Sequence, residues 1–530
     1  MNLRLGWAAL GTSVIYLTLS GCGVSGAVPK SPAQGGNAWV EVSSAHFLVV
    51  SDLDAADARR IAQELEQGVY AIEHVAFANS RAPLAPTTVV VFRDESDFHV
   101  FAPALAQGTF TRQLPGDLEP ANFMVLYGEL TTDSRISCLH ELTHDLFDRN
   151  FGAAPPWLHE GWAQYYSTVE IENGHVRIGA GLPHIGFTSE AQAFAGRAPD
   201  GSPLYAIPIS DVTPPSELLK LDRNGFYEFA LKQKPSVEAQ ERGVSLYLGS
   251  WAFVHLLRDS NSSFNARYVK FLDIVRETQV QLAWSQAFAG VSDAELDREL
   301  KRYLERGELV VYDTPLRVPQ ATDLKTRALR DEEVRVLWGR LANDPEAHSP
   351  IADQQFDAAA REAPDAAEVH YFRGVSALKQ SRFDDAERSL LRAVQLSPDN
   401  PRYLLGVVIL RVKQRANQNQ RVQAGDSVMQ AALPLVRVAN SPMQLRILAH
   451  IYRELPDLRS ALGFAERAVA LNPIGSNELD TKAMVLSDLG RFDEAVHSAR
   501  AAVAFLPENV RDPELQEHLR QYEQRAKAGH

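Results

Sequence analysis

Residues 382–387 read RFDDAE, and residues 491–496 read RFDEAV. Small residues and one proline recur around these stretches and once more between them, at spacings of 12, 7 and 5 positions. The three sets are Gly374, Ala386, Ala393 and Pro398; Ala449, Ala461, Ala468 and Pro473; and Ala483, Ala495, Ala502 and Pro507. Because small residues let two helices cross closely and proline ends a helix, the pattern predicts stacked helix pairs.

The repeat measures 34 residues from Pro473 to Pro507, and its small-residue pattern resembles the tetratricopeptide repeat (TPR). Clear copies cover about residues 367–400, 442–475 and 476–509, and degenerate copies are expected near 331–366 and 401–441. We therefore expect an all-α TPR solenoid over residues 331–525. The resemblance implies a concave face for a protein partner, although the repeats could instead serve only to stabilise the rest of the chain.

A second motif lies upstream, where residues 140–144 read HELTH within a stretch of helical periodicity. His140 and His144 would lie one turn apart on one face of a helix, where two neutral imidazoles can bind one Zn²⁺. The same spacing puts Glu141 beside the open position of the metal.

The third ligand is expected on the next helix, where residues 155–166 read PPWLHEGWAQYY. Two prolines start that helix, and Glu160 would complete the His₂Glu set that is common in catalytic zinc sites. His159 and Asp148 are the alternatives. His159 points about 100° away from Glu160 around the helix, and Asp148 is better explained as a cap or as a partner of a ligand histidine.

These two helices resemble those of the peptidase MA-like gluzincins, which carry H-E-x-x-H on one helix and W-L-x-E-G-x-A-x-Y on the next. Weaker similarity covers residues 40–51 and 247–253. The resemblance implies an α+β zincin-like domain over residues 38–312, with one Zn²⁺ per chain. It also implies His140, His144 and Glu160 as ligands and Glu141 as the catalytic residue. The metzincin pattern does not apply, because Phe147 and Asn150 replace its glycine and third histidine.

The resemblance also implies a group that stabilises the oxyanion, for which Tyr247 is the first candidate and Tyr165, Tyr166 and His184 are others. Residues 122–127 are expected to form an edge strand that aligns an extended substrate, and residues 181–215 a long loop beside the cleft. Other expected elements are strands at 39–51 and 87–93, a helix at 55–79, and a hairpin turn at Asn173-Gly174.

The function predicted from these motifs is a zinc endopeptidase that acts on proteins or peptides and whose repeats recruit a substrate or partner. A non-catalytic scaffold is the alternative from another class. An aminopeptidase is less well supported, because the chain lacks a G-x-M-E-N type motif.

The N-terminus predicts the compartment. An apolar run over residues 5–19 ends in Leu19-Ser20-Gly21-Cys22, which resembles a bacterial lipobox. The resemblance implies removal of residues 1–21, a lipidated Cys22 and, with Gly23 next, an outer-membrane lipoprotein facing the periplasm. Residues 22–37 are expected to be a flexible tether and residues 313–330 a linker.

Two compositional facts limit the partners and the redox chemistry. The formal net charge of −14 argues against a nucleic-acid partner. Cys138 would be the second of only two cysteines, so no disulfide is expected, and the better interpretation is a buried, inert thiol.

Overall fold

The computed structural model describes residues 28–528 except 78–79, 102–107, 112–117, 119–121, 153, 182–184, 189–193, 198–202, 229–235, 276–279, 308, 343–349, 418–422, 424, 456 and 507–512. The predicted signal peptide and Cys22 lie outside the described residues. Of the helices described, none combines the length and the apolar character that crossing a bilayer requires.

The N-terminal part is built on a six-stranded sheet with the order β12-β1-β2-β3-β5-β4. Strands β2, β3 and β5 run parallel, while β1, β12 and β4 are antiparallel to their neighbours. The strands are β1 (Val40–Ser43), β2 (Phe47–Ser51), β3 (Thr87–Phe92), β4 (Gly108–Thr111), β5 (Phe123–Tyr127) and β12 (Lys325–Ala328). The structure thus divides the predicted strand at 39–51 into two, and it contains the predicted strand at 87–93.

One face of this sheet is covered by helices from the first part of the chain. Helix α1 (Ala55–Ala76) and helix α3 (Thr132–Phe151) share a core with this face, whereas the short α2 (Glu95–Phe101) belongs to the core of the opposite face and contacts β5. A Cβ atom at Gly68 would lie 2.5 Å from Leu139 Cδ2, so α1 and α3 need glycine where they cross. The other helices of this part are α4 (Pro156–Ser167), α5 (Pro215–Leu218), α6 (Arg223–Phe226), α7 (Val237–Arg258), α8 (Asn265–Val275), α9 (Val280–Ala287) and α10 (Asp293–Arg306).

Two expectations about strands are wrong. β4 pairs with β5 on its outer side, so residues 123–127 are not the edge of the sheet. Residues 181–215 contain a second sheet of β8 (Ile185–Thr188), β9 (Phe194–Arg197) and β10 (Pro203–Pro208) instead of a long loop. These strands are short and interrupted by glycine and proline, so pairing with distant neighbours stabilises them more than their own propensity.

The hairpin prediction is confirmed. β6 (Glu170–Glu172) and β7 (His175–Ile178) are antiparallel neighbours, and the two residues between them, Asn173 and Gly174, have φ angles of 51° and 77°. Both positive angles fit the tight hairpin turns that favour Asn-Gly.

Among the residues described, the C-terminal part contains five helix pairs and a final helix, which confirms the predicted repeats. The helices are α11 (Asp331–Leu341), α12 (Pro350–Glu362), α13 (Ala367–Lys379), α14 (Phe383–Leu396), α15 (Pro401–Asn417), α16 (Ser427–Val438), α17 (Pro442–Glu454), α18 (Leu458–Leu471), α19 (Ser476–Asp488), α20 (Phe492–Ala504) and α21 (Pro513–Ala528). Gly374, at the first small-residue position of its repeat, faces Leu390, and a Cβ there would lie 2.7 Å from Leu390 Cγ. The small residues therefore permit the close helix crossings that the sequence predicts.

The expected linker and tether are both partly built into the fold. Within residues 313–330, β12 extends the large sheet, and β11 (Tyr312–Pro315) pairs with β7. Ser31 is buried, and the backbone N–H of Ala33 donates to Asp331 Oδ1 at 2.6 Å. A flexible tether is therefore wrong for residues 31–33, because they are bonded to the start of the repeats.

The second face of the large sheet packs directly on the first repeats. Trp338 of α11 lies at ring distances of 5.0 Å from Trp39 and 5.6 Å from Phe92. Leu118, between β4 and β5, packs against the repeats beside Gly406. Phe505 after α20 lies so near the end of α3 that a Cβ atom at Gly152 would be 3.0 Å from its Cδ1 atom. The repeats therefore share a core with the N-terminal part and also contact the end of the HELTH helix.

Candidate metal centre

Helix α3 carries the HELTH motif from the core into a buried site. Thr131 caps the helix by accepting a hydrogen bond from the backbone N–H of Ser134, which fixes where the helix begins. Leu139 and Leu146 anchor one side of the helix in the core, and His140 and His144 are also buried. The helix thus presents two imidazoles one turn apart in a site with little access to water.

Helix α4 brings in the third candidate ligand. It begins at Pro156, as the double proline predicts, and it packs closely on α7 through Gly161. A Cβ atom at Gly161 would lie 2.5 Å from the carbonyl oxygen of Ser250 and 2.6 Å from Val254 Cγ2. This close contact fixes α4 in place, with Glu160 buried against the two histidines of α3.

Three donor atoms converge at this point. His140 Nε2 and His144 Nε2 are 3.1 Å apart, and Glu160 Oε2 lies 3.2 Å from the first and 3.4 Å from the second. His140, His144 and Glu160 are the one group with a metal-ligand arrangement found among the described residues. The structure brings together all three ligands expected from the sequence.

The residues present fit a zinc ion. Ligand atoms at the usual zinc distances in a tetrahedral site are separated by about 3.3 Å, and all three separations lie near this value. Two imidazole nitrogens and one carboxylate oxygen are also a donor set of catalytic zinc sites, which leave one position open. His140, His144 and Glu160 are therefore the residues that would hold the ion.

The electrostatics of His144 and Glu160 favour the forms that bind a metal, whereas burial alone would lower the pKa of His140 but the neighbouring Glu160 raises it. Burial, and then the neighbouring His159, lower the pKa of His144 to about 3, so its imidazole is neutral. Burial alone would raise the pKa of Glu160, but the two histidines keep it well below its usual range. A neutral imidazole and a carboxylate are the states in which both groups act as ligands.

A tyrosine that the sequence analysis missed completes the surroundings of Glu160. The Tyr227 hydroxyl donates a hydrogen bond to Glu160 Oε1, the carboxylate oxygen that does not face the histidines. Burial first, and then the charge of Glu160, raise the pKa of Tyr227 well above its usual range, so the hydroxyl keeps its proton. Tyr227 is 67 positions from Glu160, and no spacing in the sequence links the two.

The two alternatives for the third ligand pair with each other. His159 Nε2 lies 2.9 Å from Asp148 Oδ1, and the His159 ring stacks on His144 with 4.2 Å between ring centres. The sequence analysis predicted that Asp148 is a cap or a partner of a ligand histidine. In the structure its side chain is instead paired with His159, which lies outside the donor triangle. His159 supports the site by packing on a ligand ring.

The tyrosines proposed for the oxyanion have different surroundings. Tyr247 is buried on α7 with its ring 5.7 Å from the ring of Phe226, the residue before Tyr227. Tyr165 and Tyr166 lie against the buried guanidinium of Arg258, at 5.2 and 5.0 Å. The fourth candidate, His184, lies outside the described residues.

The roles predicted for Glu141 and Cys138 stay predictions. Glu141 is buried immediately after the first ligand, which suits a base that acts beside the ion. Cys138 is fully buried, and burial raises the pKa of its thiol far above the usual range. Such a thiol is unreactive, which agrees with a structural role.

Comparison with known proteins concerns the repeats. Residues 348–401 match the model of the tetratricopeptide repeat. The C-terminal part of the chain therefore contains tetratricopeptide repeats. TPR proteins bind protein partners through such repeats, so the repeats of this chain are of a type used for protein interaction.

The similar solved structures include TPR proteins, and each of the following three aligns with about a third of this chain. YrrB, described as a TPR protein with an unusual peptide-binding site, is 16% identical and aligns over 33% of this chain and 86% of its own, with a TM-score of 0.28. A thermophilic TPR protein of Thermus thermophilus is 17% identical over 36% of this chain and 99% of its own, with a TM-score of 0.29. The pilF protein of Pseudomonas aeruginosa is 14% identical over 37% of this chain and 90% of its own, with a TM-score of 0.30. No curated protein is significantly similar to the chain.

Proposed function

We propose that the chain is a zinc-dependent peptidase of the gluzincin type that cleaves internal bonds of proteins or peptides in the bacterial cell envelope. The observation that supports this best is the buried triangle of His140 Nε2, His144 Nε2 and Glu160 Oε2, with separations of 3.1 to 3.4 Å. Each donor comes from a position that matches the gluzincin motif, and Glu141 follows the first ligand.

The chemistry follows from these residues. A bound zinc ion would polarise the scissile carbonyl and lower the pKa of the attacking water. The Glu141 carboxylate would accept a proton from that water and pass it to the leaving amine nitrogen. His140, His144 and Glu160 would bind the zinc ion, and the tight packing around these residues excludes bulk water. Tyr247 remains the proposed oxyanion donor, because it is buried and its ring packs on Phe226, the neighbour of Tyr227, which is bonded to Glu160.

The repeats would supply the recruitment step. We assign to them the binding of a protein substrate or of an assembly that contains it. The lipobox resemblance at Cys22 supports an outer-membrane lipoprotein facing the periplasm, where such a peptidase would meet envelope proteins.

A second candidate is a lipoprotein scaffold whose N-terminal part binds proteins without cutting them. The match of residues 348–401 to the tetratricopeptide repeat favours it, because binding alone would account for that part. The complete set of ligands and Glu141 favours the peptidase, since a site that has lost its activity need not retain all four residues.

Metal content tests the metal centre that the peptidase proposal requires. We would measure zinc by mass spectrometry in protein purified without chelator, next to His140→Ala and Glu160→Ala. The peptidase proposal expects about one zinc per chain, and much less in both variants. Protein that takes up no zinc when it is offered would exclude the proposed metal centre.

Activity is tested with Glu141→Gln. This variant should keep its zinc but no longer cleave a mixture of unfolded polypeptides, because the amide cannot accept the proton. Cleavage that is equal in wild type and Glu141→Gln would show that a contaminant is responsible. Zinc binding in the wild type without cleavage of any envelope protein would favour the scaffold.

A further inference from the structure

The Glu160 carboxylate is held from two sides. Its Oε2 atom faces His140 Nε2 and His144 Nε2 at 3.2 and 3.4 Å, while its Oε1 atom accepts the hydrogen bond from Tyr227. One oxygen therefore points to the proposed metal position, and the other has a separate partner that is half-buried. The two oxygens are not equivalent in this structure.

Tyr227 is held firmly enough to act in this way. It follows the short helix α6, which Asp222 caps by accepting a hydrogen bond from the backbone N–H of Gly225 at 2.8 Å. Phe226, the residue before it, is completely buried, and the Arg223 guanidinium lies 5.5 Å from the centre of the Tyr227 ring. The cap, the buried neighbour and the contact with arginine all fix the phenol in front of Glu160.

The physical reason for such a contact is the freedom of the carboxylate. The terminal torsion of a glutamate is broad, so a single metal bond does not decide which oxygen binds or how the plane is turned. A hydrogen bond to Oε1 restricts this rotation and leaves Oε2 for the ion. Partners of this kind typically change metal affinity by about 10- to 100-fold when they are removed.

We propose that Tyr227 is a positioning residue for the third metal ligand, and that it sets the metal affinity of the site by holding Glu160 in a one-oxygen binding geometry. This inference rests on the proposed metal centre and assigns no catalytic step to Tyr227. Its role is transmitted through Glu160.

The test is the zinc affinity of Tyr227→Phe, measured by competition with a chromophoric chelator. Phenylalanine keeps the ring and removes the hydrogen bond, so zinc should bind about 10- to 100-fold more weakly. The melting temperature of the metal-free protein is measured in parallel. A merely structural role would lower this temperature and leave the zinc affinity unchanged, which would overturn the proposal.

Tyr303→Phe is the matched control. Tyr303 is a buried tyrosine whose hydroxyl, like that of Tyr227, has one close side-chain partner, His255 Nδ1 at 2.6 Å, and none of its contacts in the described part of the chain is with the donor triangle. Its zinc affinity should equal that of the wild type. An equal loss of affinity in Tyr303→Phe and Tyr227→Phe would show a general effect of disturbing the fold and would overturn the proposal.

Coupling with the ligand gives a second readout. If Tyr227 acts through Glu160, Tyr227→Phe should reduce zinc affinity in the wild type and have no further effect in Glu160→Ala. Additive effects would contradict the proposal. If the wild type binds zinc and Tyr227→Phe binds it equally tightly, only the role of Tyr227 is refuted. If the wild type binds no zinc, both the metal centre and the role of Tyr227 are refuted.

Discussion

The two faces of the central sheet belong to two different halves of the chain. Val89 and Val91 of β3 point to the core shared with the HELTH helix, whereas Val90 and Phe92 point to the core shared with the repeats. Because side chains alternate along a strand, one strand serves both cores. The comparison teaches that the repeats are a structural layer of the N-terminal part and not an appendage joined by a free linker.

The largest expected effect comes from removing the second layer. A chain that ends at residue 330 would expose Trp39, Phe92 and Phe123, which the repeats now cover. We expect loss of cooperative unfolding and a tendency to aggregate, because an apolar sheet face of this kind needs a partner. Urea unfolding followed by circular dichroism, beside the full chain, is the measurement. A shortened protein that unfolds cooperatively at the urea concentration of the full chain would mean that the two cores are independent.

A single residue tests the same contact. Trp338→Ala removes the ring that lies between Trp39, Phe92 and Phe101, and it should lower the free energy of unfolding by about 3–5 kcal/mol. Leu433→Ala is the control, since Leu433 lies on the outside of a later repeat and is 52% exposed. It should change stability by less than about 0.5 kcal/mol. Similar values for the two variants would argue against the shared core.

Two helix glycines, one in each half, distinguish a required glycine from a tolerated one. Gly161→Ala would place its Cβ 2.5 Å from the Ser250 carbonyl oxygen, so α4 and α7 must separate, at a cost of about 1–3 kcal/mol. Gly463→Ala in α18 meets no atom within 4 Å, so we expect it to stabilise the protein by up to about 1 kcal/mol. Thermal unfolding of the two variants gives both values, and a loss of stability in Gly463→Ala equal to that in Gly161→Ala would contradict this view of the crossing.

Displacement of α4 should also weaken the metal centre, because Glu160 is next to Gly161. Gly161→Ala is therefore expected to lower zinc content, and Gly463→Ala is expected to leave it unchanged. The same mass-spectrometric assay checks both.

The smallest expected effect concerns a pair on the HELTH side of the sheet. The His46 backbone N–H and ring Nδ1 both lie 2.7 Å from the Glu66 carboxylate. The hydrogen bond that the His46 ring donates to Glu66 raises the pKa of His46, against the effect of burial. Burial alone would raise the pKa of Glu66, but the hydrogen bonds from His46 and Ser44 lower it.

The signs of the two shifts define a pH window. A raised histidine pKa stabilises the fold below about 6.5, and this stabilisation is lost as the pH rises through the raised value. A lowered glutamate pKa stabilises the fold above about 4.5, and this stabilisation is lost as the pH falls through the lowered value. His46→Ala should therefore lose about 1 kcal/mol near pH 5.5 and less at pH 8. Melting temperatures at the two pH values check this, and a difference that grows toward pH 8 would be the contrary result.

The comparison also shows which parts of the molecule can be read from the sequence. The repeats and the donor triangle rest on spacings within one or two neighbouring helices: His140 and His144 are one turn apart, and Glu160 is on the next helix. Their geometry follows from the pitch of a helix and one short connection. The identity of the metal and the reaction stay predictions.

The features that were missed join segments distant in the sequence. β4 covers the expected edge strand, β12 adds residues 325–328 to a strand that begins at Val40, and Tyr227 reaches Glu160 across 67 positions. Neither a four-residue strand nor a single tyrosine has a periodicity of its own that could reveal its partner.

The sequence by itself determined the helical repeats, the asparagine-glycine hairpin and the positions of three candidate ligands, because helix and turn geometry depends on neighbours within a few residues. Only the tertiary structure decided the order of the strands, the second layer on the sheet and the tyrosine behind Glu160. These depend on which buried surfaces and which unpaired polar groups meet after folding, and that choice is made by packing and hydrogen bonding between distant parts of the chain.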